Sequence, residues 1–219
     1  MTDLPAIDIL PSAPEFAEGM ERLFIDVFDP GTTAETCEQC MIAAHFRHHL
    51  TLFPEGQFVA FEQATRRVVG LAVALRTSYN AAEPYSKSWW QSCGEGWLTT
   101  HQPDGEWLLG VESVVDAAYR GHGIGGRLME QRRALVRRLN LRGIVAGSMP
   151  RDYHLVEMPI EDYVQAVVSG RLFDTNLSKH LRMGFRAVQI IPQYVIDAES
   201  RQYGVLIIWD NPDYREKGV

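Results

Sequence analysis

Residues 119–130 read Y-R-G-H-G-I-G-G-R-L-M-E and hold four glycines in the six positions 121–126. Two phosphate-binding patterns overlap in this run. Gly121, Gly123 and Gly126 spell G-x-G-x-x-G, the dinucleotide fingerprint, while Arg120 to Gly125 spell R-x-x-G-x-G. Choosing between them decides the fold. A dinucleotide loop follows directly on the first strand of a βαβ unit, and an acid about 20 residues on meets the ribose. Here most of a sheet precedes Gly121, and Asp116 to Arg120 separate the apolar strand from the loop. The next strand ends Val145-Ala146-Gly147-Ser148, and the first acid beyond it is Asp152. A nicotinamide oxidoreductase of the doubly wound kind is therefore disfavoured.

The second pattern fits its surroundings. The turn runs straight into a helix with no Ser, Thr, Asp or Asn at its cap, so the first-turn amides lack an internal acceptor. Glycines leave those N–H groups open and the helix dipole adds positive potential, which describes a pyrophosphate site. Arg120, Arg127, Arg132, Arg133, Arg137, Arg138 and Arg142 place seven of the 21 basic residues within 23 positions. A polyanionic ligand would use some of them, Arg127 first. Arg133, Arg137 and Arg138 read as an ordinary solvated helix face.

Composition narrows the class. Hydrophobic residues make up 46% and charged residues 22%, which suits a soluble globular domain. A net charge of -7 argues against a general nucleic-acid binder. No apolar run is long enough to span a bilayer. The start, MTDLPAIDIL, lacks a basic region followed by an apolar core, so a cytoplasmic protein is expected. Three cysteines argue against a disulfide framework. Cys37 and Cys40 spell C-x-x-C with His45, His48 and His49 behind them. Residues 34–52 read as one helix, however, which would set Cys37 and His48 about 16 Å apart along its axis. That excludes convergence on one zinc ion, and no metal site is expected.

Along the chain, residues 5–10 read as a strand and 14–28 and 34–52 as helices. Residues 57–62 and 68–76 read as a hairpin and 107–115 as a strand. A helix follows the glycine loop, with Ile124, Leu128, Leu135 and Leu139 on one face. A strand at 143–147, helices near 160–168 and 176–183, and a hairpin of 186–196 with 204–209 complete the chain. This order is mixed α/β without doubly wound alternation. Residues 77–105 and 150–172 interrupt it as insertions, the second holding Tyr153, His154 and Tyr163.

The run V-V-D-A-A-Y-R-G-H-G-I-G-G-R-L-M, residues 114–129, resembles motif A of the GCN5-related N-acetyltransferases. L-R-M-G-F, residues 181–185, resembles the family's short helix ending in Gly-Phe. The tail from Gly170 to Pro212 also looks like a subgroup sometimes fused to a carbon–nitrogen hydrolase. The resemblance implies one acyl-CoA N-acyltransferase domain over 1–219. Its sheet would be mixed, mostly antiparallel and twisted, flanked by helices and split between the fourth and fifth strands.

It further implies acetyl-CoA as co-substrate. The pyrophosphate would rest on the amides of Arg120, Gly121, His122, Gly123, Ile124, Gly125 and Gly126, and the pantetheine arm on the backbone of Val114 and Val115. Glu112 would be the base toward a small-molecule or peptide amine. The family's acid is often a Tyr four residues before Gly184; His180 stands there, a departure, and could substitute as the acid because a His can donate a proton near neutral pH. Asn176 and Ser178 are candidates for bonding the CoA arm. A homodimer is possible, and neither nucleic acid nor membrane is expected as a partner. The alternative on the same fold is a non-catalytic CoA-binding sensor or interaction domain. The resemblance also implies that the two insertions shape the acceptor pocket, with Tyr153, His154 and Tyr163 near its cleft; the side chains Trp89, Trp90 and Trp97 could line an apolar acceptor pocket, or serve as satellite core or a dimer face.

Overall fold

The computed structural model describes residues 6–37 and 39–216. Seven strands form one sheet: β1 (Ile7–Pro11), β2 (Gln57–Glu62), β3 (Arg67–Thr77), β4 (Trp107–Val115), β5 (Gly143–Ser148), β6 (Arg186–Ile191) and β7 (Gly204–Asp210). Their spatial order is β1-β2-β3-β4-β5-β7-β6. The β4–β5 pair is parallel; the other five are antiparallel. The helices are α1 (Ala17–Phe28), α2 (Ala43–Leu52), α3 (Trp89–Ser92), α4 (Ile124–Arg138), α5 (Ile160–Val168) and α6 (Leu177–Arg182).

The central strand β3 is buried from Val68 to Leu75, as a strand covered on both faces should be. Alternation then divides the core in two. Leu71, Val73, Val111, Val114 and Val145 face one cluster with Met20, Leu23 and Phe24 of α1 and Phe46 of α2. Ala72, Leu108, Ile144 and Ile207 face the other, with Leu128 and Leu135 of α4. The helix pattern of α4 works because Ile124, Leu128, Arg132 and Leu135 fall on one stripe.

Three sequence expectations are corrected. Residues 34–37 and 39–42 are not helical, and α2 begins only at Ala43; Cys37 and Cys40 are joined as a disulfide ahead of it. The His45 ring Nδ1 accepts from the Ile42 amide at 3.0 Å and caps the helix there. Strand β6 stops at Ile191, because Pro192 cannot donate to a ladder. Gln193, Arg201 and Gln202 then take positive φ in the long connection to β7. Lastly, the insertions part company. Trp89, Cys93 and Leu98 of the first join the α1 side, whereas Tyr153, Ile160, Tyr163 and Val164 of the second join the α4 side. The first insertion packs on the face on which Glu112 lies, whereas the apolar stripe of α5 is used against α6 and β6.

Candidate functional site

The split is visible in the pairing. Trp107 to Gly110 pair with Gly143 to Ala146, and beyond Gly110 strand β4 has lost β5. Its other edge stays on β3 as far as Val115. The register shifts there: Val73 opposes Glu112, Ala74 opposes Gly110, and Val111 is the extra residue of a bulge. A bulge bends and twists its strand, which carries β4 away from β5. The backbone of Val114 and Val115 therefore lies along an open edge, with both side chains in the core or at its margin.

The glycine loop stands at the end of this edge. Gly121 and Gly123 take φ of 84° and 76°, which an L side chain rarely adopts. Gly123 caps α4, and no side chain bonds the cap. A Cβ built on Gly121, Gly123, Gly125 or Gly126 would meet no atom within 4 Å. The loop is thus an open cradle, and the amides of Ile124, Gly125 and Gly126 have no helical carbonyl to meet. The residues present fit a pyrophosphate. Arg120 and His122 are exposed beside it; Arg120 Nε donates to the Val115 carbonyl at 3.2 Å. Arg127 lines a surface cleft with Gly123 and Gly126, its Nη2 donating to the Ile7 carbonyl at 2.8 Å.

Glu112 and His180 reach the split from opposite faces. Glu112 opposes Val73 in register and shares that residue's face, toward α1 and the first insertion. The side chain is half-buried and accepts from the Ser113 amide at 2.8 Å. Burial raises its pKa to about 7, against the Ser113 amide and the guanidinium groups of Arg132 and Arg151, which lower it. Ser148 shares the α4-side face with Ile144 and bonds His180 Nδ1 through Oγ at 2.9 Å. Burial, then Arg132, pulls the His180 pKa down to about 4, against Asp174. The imidazole is neutral at pH 7, so the protonated acid suggested by its position in the sequence is not present.

Asp174 places His180. This fully buried carboxylate accepts from the amides of Asn176 and Leu177 at 2.9 and 2.6 Å, from that of Asp152 at 3.0 Å and from the Tyr163 hydroxyl at 2.8 Å. It fixes the start of α6. The two residues proposed for the CoA arm are engaged there: Asn176 Nδ2 donates to Met149 and buried Ser178 Oγ accepts from the Asp174 amide. Tyr163 and Tyr153 are likewise structural, Tyr153 donating to the Met158 carbonyl at 2.8 Å; His154 is exposed.

Sequence reasoning passed over Arg132. It is 4% exposed, with Nη2 donating to the carbonyls of Val73, at 2.7 Å, and of Glu112. Its signal was its place between Leu128 and Leu135 on the buried stripe. Two other arginines taken for solvated lie over Trp209, Arg133 at 5.1 Å and Arg137 at 5.6 Å. On the Glu112 face, Trp89, Trp90, Tyr85 and Tyr194 surround the carboxyl's side of the sheet; the Tyr194 ring lies against Gly147 and Gly204, where any Cβ would collide with it. Buried Cys93 has its thiol pushed up to about 12 and is no nucleophile. Among the described residues no cluster of His, Cys, Asp or Glu could hold a metal, and no helix is long and apolar enough to cross a membrane.

No protein-family profile matches the chain. It is 36% identical over 173 residues to the probable hydrolase YhcX of Bacillus subtilis (strain 168), covering 78% of this chain but 33% of that protein. The chain thus spans about a third of that relative's length. To the uncharacterized N-acetyltransferase YkwB of the same organism it is 32% identical over 170 residues, 77% of this chain and 74% of that one. Among solved structures, the loading GNATL domain of CurA from Lyngbya majuscula superposes with a TM-score of 0.76 at 16% identity, covering 94% and 98% of the two chains. The GphF GNAT-like decarboxylase in complex with isobutyryl-CoA gives 0.71 at 23% identity, covering 93% and 99%. The open β4 edge, the capless glycine turn and the likeness to YkwB agree: the chain belongs to the GCN5-related N-acetyltransferase family.

Proposed function

We propose that this chain is an acetyl-CoA-dependent N-acetyltransferase that acts on an amine of a small molecule or peptide by direct transfer in a ternary complex. One observation carries the reading: Glu112, with a pKa of about 7, and neutral His180 reach one strand split from opposite faces, below an open amide cradle. Acetyl-CoA supplies the activated acyl group when bound. The amides of the 120–126 loop hold its pyrophosphate, and the backbone of Val114 and Val115 pairs with the pantetheine arm as an added strand would. An amide of that edge polarises the thioester carbonyl.

Glu112 takes the proton that the attacking amine must lose. A carboxyl near pH 7 is both substantially ionised and basic enough for that task. On the other face, the tautomer in which His180 Nδ1 accepts from Ser148 carries the ring proton on Nε2. That N–H stabilises the departing thiolate by a hydrogen bond rather than by full proton transfer. With Cys93 inert and Cys37 joined to Cys40, no free reactive thiol among the described residues is poised to carry the acyl group, which supports direct attack.

The His180–Ser148 pair also favours a second reading, decarboxylation of an acyl-CoA bearing a carboxylate, the activity in the name of GphF. There the C–C bond breaks, carbon dioxide leaves, and His180 Nε2 faces the carbanion that must gain a proton. A panel of amines with acetyl-CoA, followed by free thiol release, and malonyl-CoA alone, followed by carbon dioxide release, separate the two. Amine-dependent thiol release is expected. Carbon dioxide release without an amine would replace the first reading with the second. Tight acetyl-CoA binding with neither product would leave a CoA-binding sensor.

A further inference from the structure

The bulge that opens the split is held from both faces by side chains. From the first insertion, Trp89 Nε1 donates to the carbonyl of Val111 at 2.9 Å. From α4, Arg132 Nη2 donates to the carbonyls of Val73 and Glu112. Both donors are buried. The three carbonyls belong to the bulged residue, the residue after it and the residue opposite. A bulge strips ladder partners from its strand, and a buried carbonyl without a partner is costly. Beyond Gly110 no β5 backbone is present to supply one.

Both donors are themselves anchored. The Trp89 amide donates to the Tyr194 carbonyl at 2.7 Å, and Ser88 caps α3 ahead of it. Arg132 is fixed by the α4 stripe, and its Nε finds no partner among the described residues. The guanidinium lies beside Gly110, where a Cβ would stand in ordinary contact with Nη1 at 3.5 Å. A buried guanidinium bonded to carbonyls rather than to a carboxylate is a costly arrangement for stability alone.

We propose that Trp89 and Arg132 are positioning residues that clamp the β4 bulge from its two faces and so hold the Glu112 carboxyl at the thioester. The role in catalysis rests on the acyl-transfer reading; the clamp itself does not. Arg132 also places its charge on Glu112. The other groups facing that carboxyl are Arg151 after β5, Cys93 after α3 and Tyr194 after β6.

The test compares Trp89→Phe, Arg132→Lys and Arg132→Met with the wild type. Trp89→Phe keeps a ring and loses only the N–H. Amide hydrogen exchange at 110–113, measured by NMR without substrate, is expected to quicken on the order of five- to tenfold, the worth of one hydrogen bond. Exchange in β1 and β2 and the affinity for CoA should stay unchanged. In turnover, kcat should fall with KM for acetyl-CoA steady. Arg132→Met should move the acidic limb of the pH profile upward, and Arg132→Lys should restore it. If Arg132→Met does not fold, the other two variants decide. Wild-type exchange at 110–113 in both Trp89→Phe and Arg132→Lys would overturn the clamp. Absence of any turnover in the wild type would overturn the transfer reading while the exchange result still decides the clamp.

Discussion

The glycine loop and the 77–105 insertion border the same split, yet they work by different physics. The loop offers backbone: positive φ at Gly121 and Gly123 and bare amides at the start of α4, with no side chain bonding the cap. The insertion works through side chains held by tertiary contacts, such as Trp89 on Val111 and the His49 ring nitrogen Nε2 on the Gly96 carbonyl at 2.6 Å. A backbone device leaves a compact signature in the sequence, whereas a packed one leaves only a composition. The glycine loop can therefore be read from one sequence, whereas the packing of the insertion cannot.

The comparison is broken most sharply at the point where the sides meet. Glu112→Gln should lower kcat/KM by about 10²- to 10⁴-fold, the usual worth of a general base, with acetyl-CoA affinity unchanged by calorimetry. Gly125→Val should act on the other side alone. Its Cβ has no protein neighbour within 4 Å, so the fold tolerates it. Its bulk would crowd the cradle, and acetyl-CoA affinity should drop on the order of tenfold or more; an unchanged Kd would remove the cradle from the binding site. Ser148→Ala should cost about five- to tenfold in kcat by freeing the His180 ring, roughly one hydrogen bond, with little change in KM.

The smallest effect is on stability against pH. Burial holds His49 and His180 near 4, below the ordinary 6.5. Both are neutral in the fold where the unfolded chain is protonated. Their contribution is full above pH 6.5 and lost progressively as pH falls toward 4. Glu112, raised to about 7, acts in the opposite sense and offsets one of the two histidines, so thermal scans should still show a net fall in Tm below pH 6.5, with a shallower decline in His49→Gln. A decline of equal slope in that variant would assign the acid sensitivity elsewhere.

How much of this was legible follows from the same contrast. Strand β4 and helix α5 were readable at both ends, because alternation in W-L-L-G-V-E-S-V-V and the helical period from Ile160 are local patterns. The early start assigned to α2 failed because C-E-Q-C carries no signal for a chain turned back on itself by a disulfide. Glu112 stood out as an acid in an apolar strand, and its face follows from the register. Arg132 was hidden in a crowd of arginines, since charge count says nothing about which one points inward; only its place on the stripe does. The opposite fates of the two insertions depend on which core cluster each helix meets, and a single sequence does not record that.

The most direct test of Glu112 as the base at the split is the pH dependence of kcat/KM with an aryl amine acceptor, whose own ionisation lies well below neutrality. The wild type should rise with unit slope to a limb at about pH 7, where Glu112 loses its proton. In Glu112→Gln the limb should vanish and the remaining rate should be flat and far lower. The same limb persisting in Glu112→Gln would contradict the account, because some other group would then be taking the amine's proton.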